Sequence, residues 1–186
     1  GDGATAALLH PFTQDQDLLE LLSITTRSAP QMEEMHRGAD PFTPAPRSLS
    51  SAVDVKRAKK AFFEAGGLDR FGVVARQVLG DVIGVALERA GIAGDDPRLS
   101  AVILPRLGPP TLDLMYLPVV QELLKAPALV LGDLTGHLGA GDFLANLADV
   151  VEHGVLDADR FALVLGGGGG FSWTAAVVRR TDHRAA

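Results

Sequence analysis

The first apolar segments of the chain are short, and they predict strands. Ala4–Leu9 is a run of small and apolar residues after Gly-Asp-Gly, a pattern typical of a buried strand that is entered through a turn. Leu18–Thr26 carries Leu, Ile and Thr without a breaking residue, which predicts a second strand. We expect the two strands to pair as a hairpin or a meander.

No regular pattern of apolar residues continues from Arg27 to Ser51. This stretch holds four prolines among Ser and Thr residues, and a connection of such length is usually functional or disordered. We predict a long loop at about residues 27–51, with one helical turn at Met32–Met35.

Helical periodicity begins after this loop. Val53–Ala65 is rich in Lys, Ala, Phe and Glu, and Leu68–Ala90 repeats apolar residues at helical spacing, so two helices separated by Gly66-Gly67 are predicted. Three glycines inside the second helix would each cost about 1 kcal/mol relative to alanine, which favours a buried helix packed closely against another element. They are Gly72, Gly80 and Gly84.

Beyond Gly91 the chain alternates short apolar runs with amphipathic segments. The predicted order is strand Ala101–Leu104, helix Leu112–Lys125, strand Ala128–Leu131, helix Gly141–His153, and strands Phe161–Leu165 and Phe171–Arg179 on either side of a run of glycines. Strands that alternate with helices imply βαβ units and a sheet covered by helices. The predicted fold class is therefore α/β and layered.

The charge and hydropathy of the chain argue against two classes of partner. Lys and Arg number 17 against 23 Asp and Glu, a formal charge of −6, whereas nucleic-acid binders carry a basic patch. The sequence is 47% hydrophobic and 22% charged, which is enough apolar surface for a folded core. No apolar run reaches the about 18 residues of a membrane span, and the first residues lack the pattern of a signal peptide. We expect a cytoplasmic protein without nucleic-acid or membrane partners.

Cysteine and histidine usage limits the chemistry. The sequence has no cysteine, which excludes disulfides, thiolate metal sites and a cysteine nucleophile within the chain. Four histidines lack metal-ligand spacing to one another and are predicted to lie on the surface. They are His10, His36, His153 and His183. No metal and no cofactor are expected.

The most informative segment is Thr135–Asp142, where a predicted strand ends in a glycine-rich turn that opens a helix. Ligands of α/β folds bind where strand ends meet helix N-termini. His137 lies in the turn, and Asp142 lies five positions later. If the turn folds back, the carboxylate accepts a hydrogen bond from one imidazole nitrogen and leaves the other as a general base. Alternatively, Asp142 only caps the helix and His137 is an ordinary loop residue.

Five consecutive glycines, Gly166–Gly170, offer backbone amides unobstructed by side chains, which suits an oxyanion or a phosphate. Phe171-Ser172-Trp173 and a strand follow the run, so it is neither a P-loop nor a dinucleotide fingerprint, and a nucleotide-binding module is a distant alternative. A tight hairpin pressed against a neighbouring helix explains the glycines equally well. No serine stands in a G-x-S-x-G elbow, and the chain therefore lacks an evident nucleophile.

Four motifs are spread in order over nearly the whole chain. They are Gly1-Asp2-Gly3-Ala4, Val102-Ile103-Leu104-Pro105, Gly136-His137-Leu138-Gly139-Ala140-Gly141 and Gly167-Gly168-Gly169-Gly170-Phe171-Ser172-Trp173-Thr174. Together they resemble the C-terminal half of a β-ketoacyl-ACP synthase III. The resemblance implies the thiolase fold, in which two similar halves stack in α-β-α-β-α layers and pair as dimers. Residues 1–186 would then be a C-terminal thiolase-like half-domain, a mixed sheet covered by helices, with the N-terminal half absent from this chain.

The sequence departs from the condensing enzymes of that family at two positions. Arg106 follows Pro105 where those enzymes carry a catalytic His, and His137 stands where they carry an Asn. Condensing enzymes use this His and Asn to promote decarboxylation and to steady an enolate, so decarboxylative condensation is not expected here. The spacing of His137 and Asp142 instead resembles the acyltransferase branch, which includes the daunorubicin starter-unit enzyme and related polyketide-tailoring enzymes.

The resemblance to this branch implies a role for each residue. His137 would be the base, Asp142 its orienter and the Gly169 amide an oxyanion-hole donor, while a Ser or Cys nucleophile would come from the N-terminal half or a companion chain. Arg106 would contact the substrate or its phosphopantetheine, or else form a structural ion pair. The expected activity moves an acyl group from CoA or an acyl carrier protein to an acceptor in polyketide or related secondary metabolism. The alternatives are a non-catalytic structural partner of a ketosynthase III-like heterodimer and a decarboxylative condensing enzyme.

Overall fold

The fold is built on one mixed sheet. The computed structural model describes residues 3–13, 17–38 and 54–182. Its strands are β1 (Leu19–Ser28), β2 (Leu99–Ile103), β3 (Ala128–Leu129), β4 (Phe161–Gly168) and β5 (Ser172–Arg180). They lie in the order β1-β5-β4-β2-β3. β2 is parallel to β3 and β4, whereas β5 is antiparallel to β1 and β4, so the sheet is mixed, as the resemblance implied.

Helices connect and cover the strands. They are α1 (Glu34–Arg37), α2 (Val55–Glu64), α3 (Gly67–Ala90), α4 (Pro109–Thr111), α5 (Leu117–Leu123) and α6 (Asp142–Glu152), with 3-10 turns at Pro30–Glu33 and Gly139–Gly141 and a π-helical turn at Leu112–Tyr116. The helices predicted from periodicity are confirmed, as is the helical turn inside the long loop. Residues 39–53 of that loop lie outside the described residues. Among the described residues, no helix is long and apolar enough to cross a membrane.

The sheet separates two apolar clusters, which gives a layered α/β arrangement. Leu163 and Leu165 of β4 belong to the larger cluster with α3 and α5, whereas Ala162 and Val164 belong to a smaller one with Val150 of α6. Neighbouring residues of a strand point to opposite faces, so α3 and α6 cover opposite faces of the sheet. The predicted α/β class is confirmed.

The prediction of a buried N-terminal strand is wrong. Ala4–Leu9 forms no strand, and Leu8 and Leu9 are 89% and 79% exposed. β1 pairs with β5 instead, from Leu19 opposite Arg180 to Ser28 opposite Ser172. An apolar run indicates a preference for burial, but it does not specify which strand it pairs with. Here the pairing partner of β1 is β5, and not the segment Ala4–Leu9.

α3 packs against the sheet, as predicted, but within the described residues its glycines Gly72, Gly80 and Gly84 are not the points of close contact. A methyl group added at Gly80 or Gly84 would meet no atom within 4 Å, and one at Gly72 would meet only the tip of the Arg76 side chain. The sheet-facing side of α3 is filled by larger residues such as Leu79, while its outer side is exposed. Against the described part of the chain, these glycines lower helix propensity without making room for a neighbouring side chain.

Candidate active site

Three segments meet at one edge of the sheet. β2, β3 and β4 are parallel, so their C-terminal ends lie at the same edge. Arg106 follows β2, His137 follows β3, and the glycine run closes β4 and opens the hairpin to β5. The sheet topology thus brings together the segments that the sequence singled out separately.

His137 and Asp142 are in contact. His137 Nδ1 lies 2.7 Å from Asp142 Oδ2. The carboxylate is buried and also accepts hydrogen bonds from two backbone amides, those of Leu138 at 2.7 Å and Arg106 at 3.1 Å. With Nδ1 engaged by a carboxylate, the neutral imidazole carries its proton on that nitrogen. The pair has the geometry expected of a base and its orienting acid, whereas the catalytic role of both residues stays a prediction.

The capping alternative for Asp142 does not fit its contacts. Asp142 is the first residue of α6, whose N-cap is Gly141 without a side-chain cap. The carboxylate accepts the amide of Leu138, which precedes the helix, so it fastens the loop that carries His137. Its position at a helix N-terminus also suits a negative charge.

Arg106 is buried in a network of polar side chains. Its Nε donates to Asn146 Oδ1 at 2.9 Å, its Nη1 to Thr135 Oγ1 at 2.6 Å and its Nη2 to Asp149 Oδ2 at 2.5 Å. Asn146 in turn donates to the carbonyl of Leu104. Only 2% of the Arg106 side chain is exposed. Of the two roles that the sequence left open for Arg106, these contacts favour the structural ion pair over a substrate contact.

The glycine run forms the end of the β4–β5 hairpin and packs closely against a helix. A methyl group at Gly167 would lie 2.3 Å from the hydroxyl of Tyr116, and one at Gly166 would lie 3.2 Å from the ring of Phe143. The hairpin alternative is therefore what the structure shows. Gly169 lies exposed in the turn, where its role as an oxyanion-hole donor stays a prediction.

A cavity of about 400 Å³ opens between this hairpin, α2 and the π-helical turn. His137, Tyr116 and Gly169 line it together with several apolar side chains. A second cavity of about 540 Å³ lies beside the C-terminal end of β2. His137 and Leu107 line both cavities, so the imidazole lies at the boundary between them.

His36 and Tyr116 line the first cavity, although sequence reasoning did not place either residue there. His36, predicted as a surface residue, is half-buried, and its ring lies 5.0 Å from that of Phe171. Phe171 has a φ of 52°, a conformation that costs energy in a non-glycine residue, and it also packs edge-on against Phe71. The only tyrosine, Tyr116, is buried, and a lone tyrosine in an apolar helix was the one available hint.

Tyr116 is held in its neutral form. Burial raises the pKa of its hydroxyl well above the ordinary value, the charge of Asp142 raises it further, and a hydrogen bond with Trp173 opposes the shift. The hydroxyl therefore keeps its proton at neutral pH.

In residues 3–13, 17–38 and 54–182, no group of three or more acidic, histidine or cysteine side chains could hold a metal ion.

No family model matches the chain, and no curated protein does. Among solved structures, it is similar to ChlB3, described as an acyltransferase, with 24% identity over 89% of this chain and 48% of that chain, at a TM-score of 0.71. It is also similar to 3-oxoacyl-[acyl-carrier-protein] synthase III from Aquifex aeolicus, with 19% identity over 90% of this chain and 46% of that one, at a TM-score of 0.59.

A third similar structure is AbyA1, described as a tetronic acid condensing enzyme, with 19% identity over 87% of this chain and 47% of that one, at a TM-score of 0.55. The chain spans about half the length of each of these structures. They include an acyltransferase, a synthase and a condensing enzyme on one architecture. The chain has the thiolase-like fold of the 3-oxoacyl-[acyl-carrier-protein] synthase III enzymes, over about half the length of such an enzyme.

Proposed function

We propose that this chain supplies the general base of an acyltransferase. The enzyme would move an acyl group from a CoA or acyl-carrier-protein thioester, through a Ser or Cys nucleophile on another segment or a companion chain, to an acceptor in polyketide or related secondary metabolism. The contact of 2.7 Å between His137 Nδ1 and Asp142 Oδ2 carries the proposal. An imidazole oriented by a carboxylate is the usual device for activating such a nucleophile.

The acylation step uses the residues in a defined order. His137 takes the proton of the nucleophile through Nε2, because Nδ1 is bound to Asp142. The nucleophile attacks the thioester carbonyl, and the amide of Gly169 donates to the resulting oxyanion. The C–S bond then breaks, and the imidazolium returns its proton to the departing thiolate. Asp142 stabilises the imidazolium in the interval.

The second step runs the same chemistry in reverse. His137 removes the proton of the acceptor, a thiol, amine or sugar hydroxyl, as the acceptor attacks the acyl-enzyme. The nucleophile leaves and recovers its proton from the imidazolium. The position of His137 between two cavities supports this scheme, since one imidazole borders space for two reactants. We expect the working enzyme to be a cytoplasmic dimer.

Decarboxylative condensation is less well supported by the site. The residue after Pro105 is Arg106 and not a His, and all three nitrogen positions of its side chain donate hydrogen bonds to Asn146, Thr135 and Asp149. A structural-partner role has one observation in its favour, which is that residues 3–13, 17–38 and 54–182 contain no evident nucleophile. Ser23 and Ser100 donate to backbone carbonyls, and Ser172 lies on the cavity wall without a G-x-S-x-G elbow.

Intact-mass spectrometry of the native protein, before and after incubation with an acyl-CoA, tests the proposal. We expect one acyl group on a Ser or Cys outside this chain, and its formation should be slowed in His137→Ala. The matched control is His10→Ala, because His10 also contacts a carboxylate, that of Asp17 at 2.9 Å, and is 42% exposed against 48% for His137. No acylation of any chain, or acylation at the same rate in His137→Ala, contradicts the proposal.

A further inference from the structure

We propose that Arg106 is the positioning residue of the His137–Asp142 pair, so that its role is to hold the base in place. This inference deepens the proposed function and rests on it for its catalytic consequence. The mechanism leaves Arg106 without a task, although its side chain is almost completely buried and all three of its nitrogen positions donate hydrogen bonds. A buried guanidinium with satisfied partners acts through geometry.

The contacts of Arg106 join the segments that carry the pair. Its Nη1 donates to Thr135, two residues before His137 in the loop after β3. Its Nε and Nη2 donate to Asn146 and Asp149, which lie on α6 one and two turns after Asp142. One planar group therefore fixes the distance between the histidine loop and the helix that begins with the acid.

The backbone of Arg106 contributes directly. Its amide donates to Asp142 Oδ2, the same oxygen that lies 2.7 Å from His137 Nδ1. Since the other carboxylate oxygen accepts the Leu138 amide, the carboxylate cannot rotate without losing hydrogen bonds. The position of Arg106 thus sets the orientation of Asp142 and, through it, that of the imidazole.

The loop leaves space for this side chain at Gly132. A methyl group at that position would lie 2.6 Å from Arg106 Cγ and 2.9 Å from its Cβ. Gly132 does not adopt a positive φ, so its lack of a side chain serves the passage of Arg106 and not a backbone turn.

Lysine cannot replace this residue. Three hydrogen bonds leave Arg106 from three nitrogens of one rigid fork, whereas an ammonium donates from a single atom on a flexible stem. Arg106→Lys keeps the charge beside Asp149 but loses the fixed spacing between the loop and α6. The charge-conserving variant therefore separates an electrostatic role from a positioning one.

The test compares Arg106→Lys and Thr135→Val with a control, Arg179→Lys, in the native protein. Arg179 donates to Glu20 at 2.9 Å and is a similarly paired arginine on β5, away from the site. Thr135→Val removes one hydrogen bond of the network at an exposed position. The first readout is the ¹⁵N NMR spectrum of the His137 side chain, which reports its tautomer without any substrate. The second is the acyl-transfer rate as a function of acyl-donor concentration.

We expect the neutral His137 to carry its proton on Nδ1 in the unsubstituted protein and in Arg179→Lys, and to show both tautomers in Arg106→Lys and, less strongly, in Thr135→Val. In Arg106→Lys, kcat should fall by about 100-fold with KM unchanged, as expected when a reacting group is displaced.

An unchanged tautomer in Arg106→Lys overturns the inference, as does a raised KM with unchanged kcat, which would mark a substrate contact. If Arg106→Lys does not fold, an unchanged tautomer in Thr135→Val overturns it instead. If the unsubstituted protein transfers no acyl group, the proposed function fails while the NMR readout still decides the position of His137.

Discussion

The sheet face covered by α3 and the buried polar residues beside His137 at the sheet edge are held together by different interactions. Behind α3, Leu79, Val82 and Ile83 are inaccessible to solvent and make only apolar contacts. At the edge, Arg106 and Asp142 are buried as well, and both are satisfied by directional hydrogen bonds. Apolar contacts tolerate small shifts, whereas hydrogen bonds to charged groups fix angles and distances. The first region should therefore determine stability and the second the geometry of the site.

The largest expected effect comes from removing the His137 imidazole at the sheet edge. His137→Ala should lower the acyl-transfer rate by about 10²–10⁴-fold, the usual contribution of a general base, because no other group replaces the imidazole. Asp142→Asn should lose less, about the 100-fold expected for Arg106→Lys, because it removes the orienting charge and leaves the base in the site. Steady-state kinetics of both variants beside His10→Ala measure the difference. Near-normal activity in both would refute the assignment.

A substitution in the apolar face of α3 should affect stability and not activity. Leu79→Ala leaves a cavity on the α3 side and should lower the free energy of unfolding by about 2–5 kcal/mol, with normal activity per folded molecule. Val73→Ala, on the same helix but 58% exposed, is the control and should stay within about 0.5 kcal/mol. Denaturant unfolding gives both values. Equal losses in the two variants would mean that α3 is not anchored through this face.

Gly167 offers a test of the contact between the hairpin and the π-helical turn. Gly167→Ala places a methyl group 2.3 Å from the Tyr116 hydroxyl and should cost about 1–3 kcal/mol of stability through overpacking. Tyr116→Phe removes the obstructing oxygen and should restore part of that loss. A double-mutant cycle of thermal or chemical unfolding measures the coupling. Strict additivity would show that the two groups do not touch.

The smallest effect concerns an ion pair in the loop between α3 and β2. Hydrogen bonds from Arg98 lower the pKa of Asp96 from 3.8 to about 2. A carboxyl group whose pKa is lower in the folded state contributes stability above its ordinary pKa and loses it as the pH falls, here between about 4 and 2. Asp96→Asn should therefore flatten the decline of Tm slightly over that interval. Parallel Tm curves for the two proteins would show that the pair adds nothing.

Local patterns were sufficient for the helices, the parallel strands and the segment that holds His137 and Asp142. Helical spacing reports one face of a helix, and Asp142 lies close enough in sequence to His137 for a turn to join them. The strand that pairs with β1 could not be predicted from local patterns. Strand pairing depends on residues more than a hundred positions away, such as Arg180 opposite Leu19. An apolar strand pattern fits several partners equally.

The polar network shows a second limit of sequence reasoning. Arg106 is one of several arginines, and its link to Thr135, Asn146 and Asp149 arises only when β2, the loop after β3 and α6 meet. The glycines show the same dependence. Gly132 and Gly167 make room for neighbouring side chains, whereas Gly80 and Gly84 of α3 meet no side chain of the described residues. Space around a glycine is a tertiary property and has no local sequence signature.

The uncovered segment near the start of the chain has a practical consequence for handling the protein. Ala4–Leu9 contains no charge and no proline, and its two leucines are almost fully exposed. Short uncharged apolar segments that are open to solvent favour self-association and aggregation. This chain produced without a cover for residues 4–9 should form soluble oligomers or precipitate as its concentration rises. Coexpression with the segment or companion chain proposed to supply the nucleophile, tested for its ability to cover residues 4–9, is therefore the preferable route to a sample for kinetics.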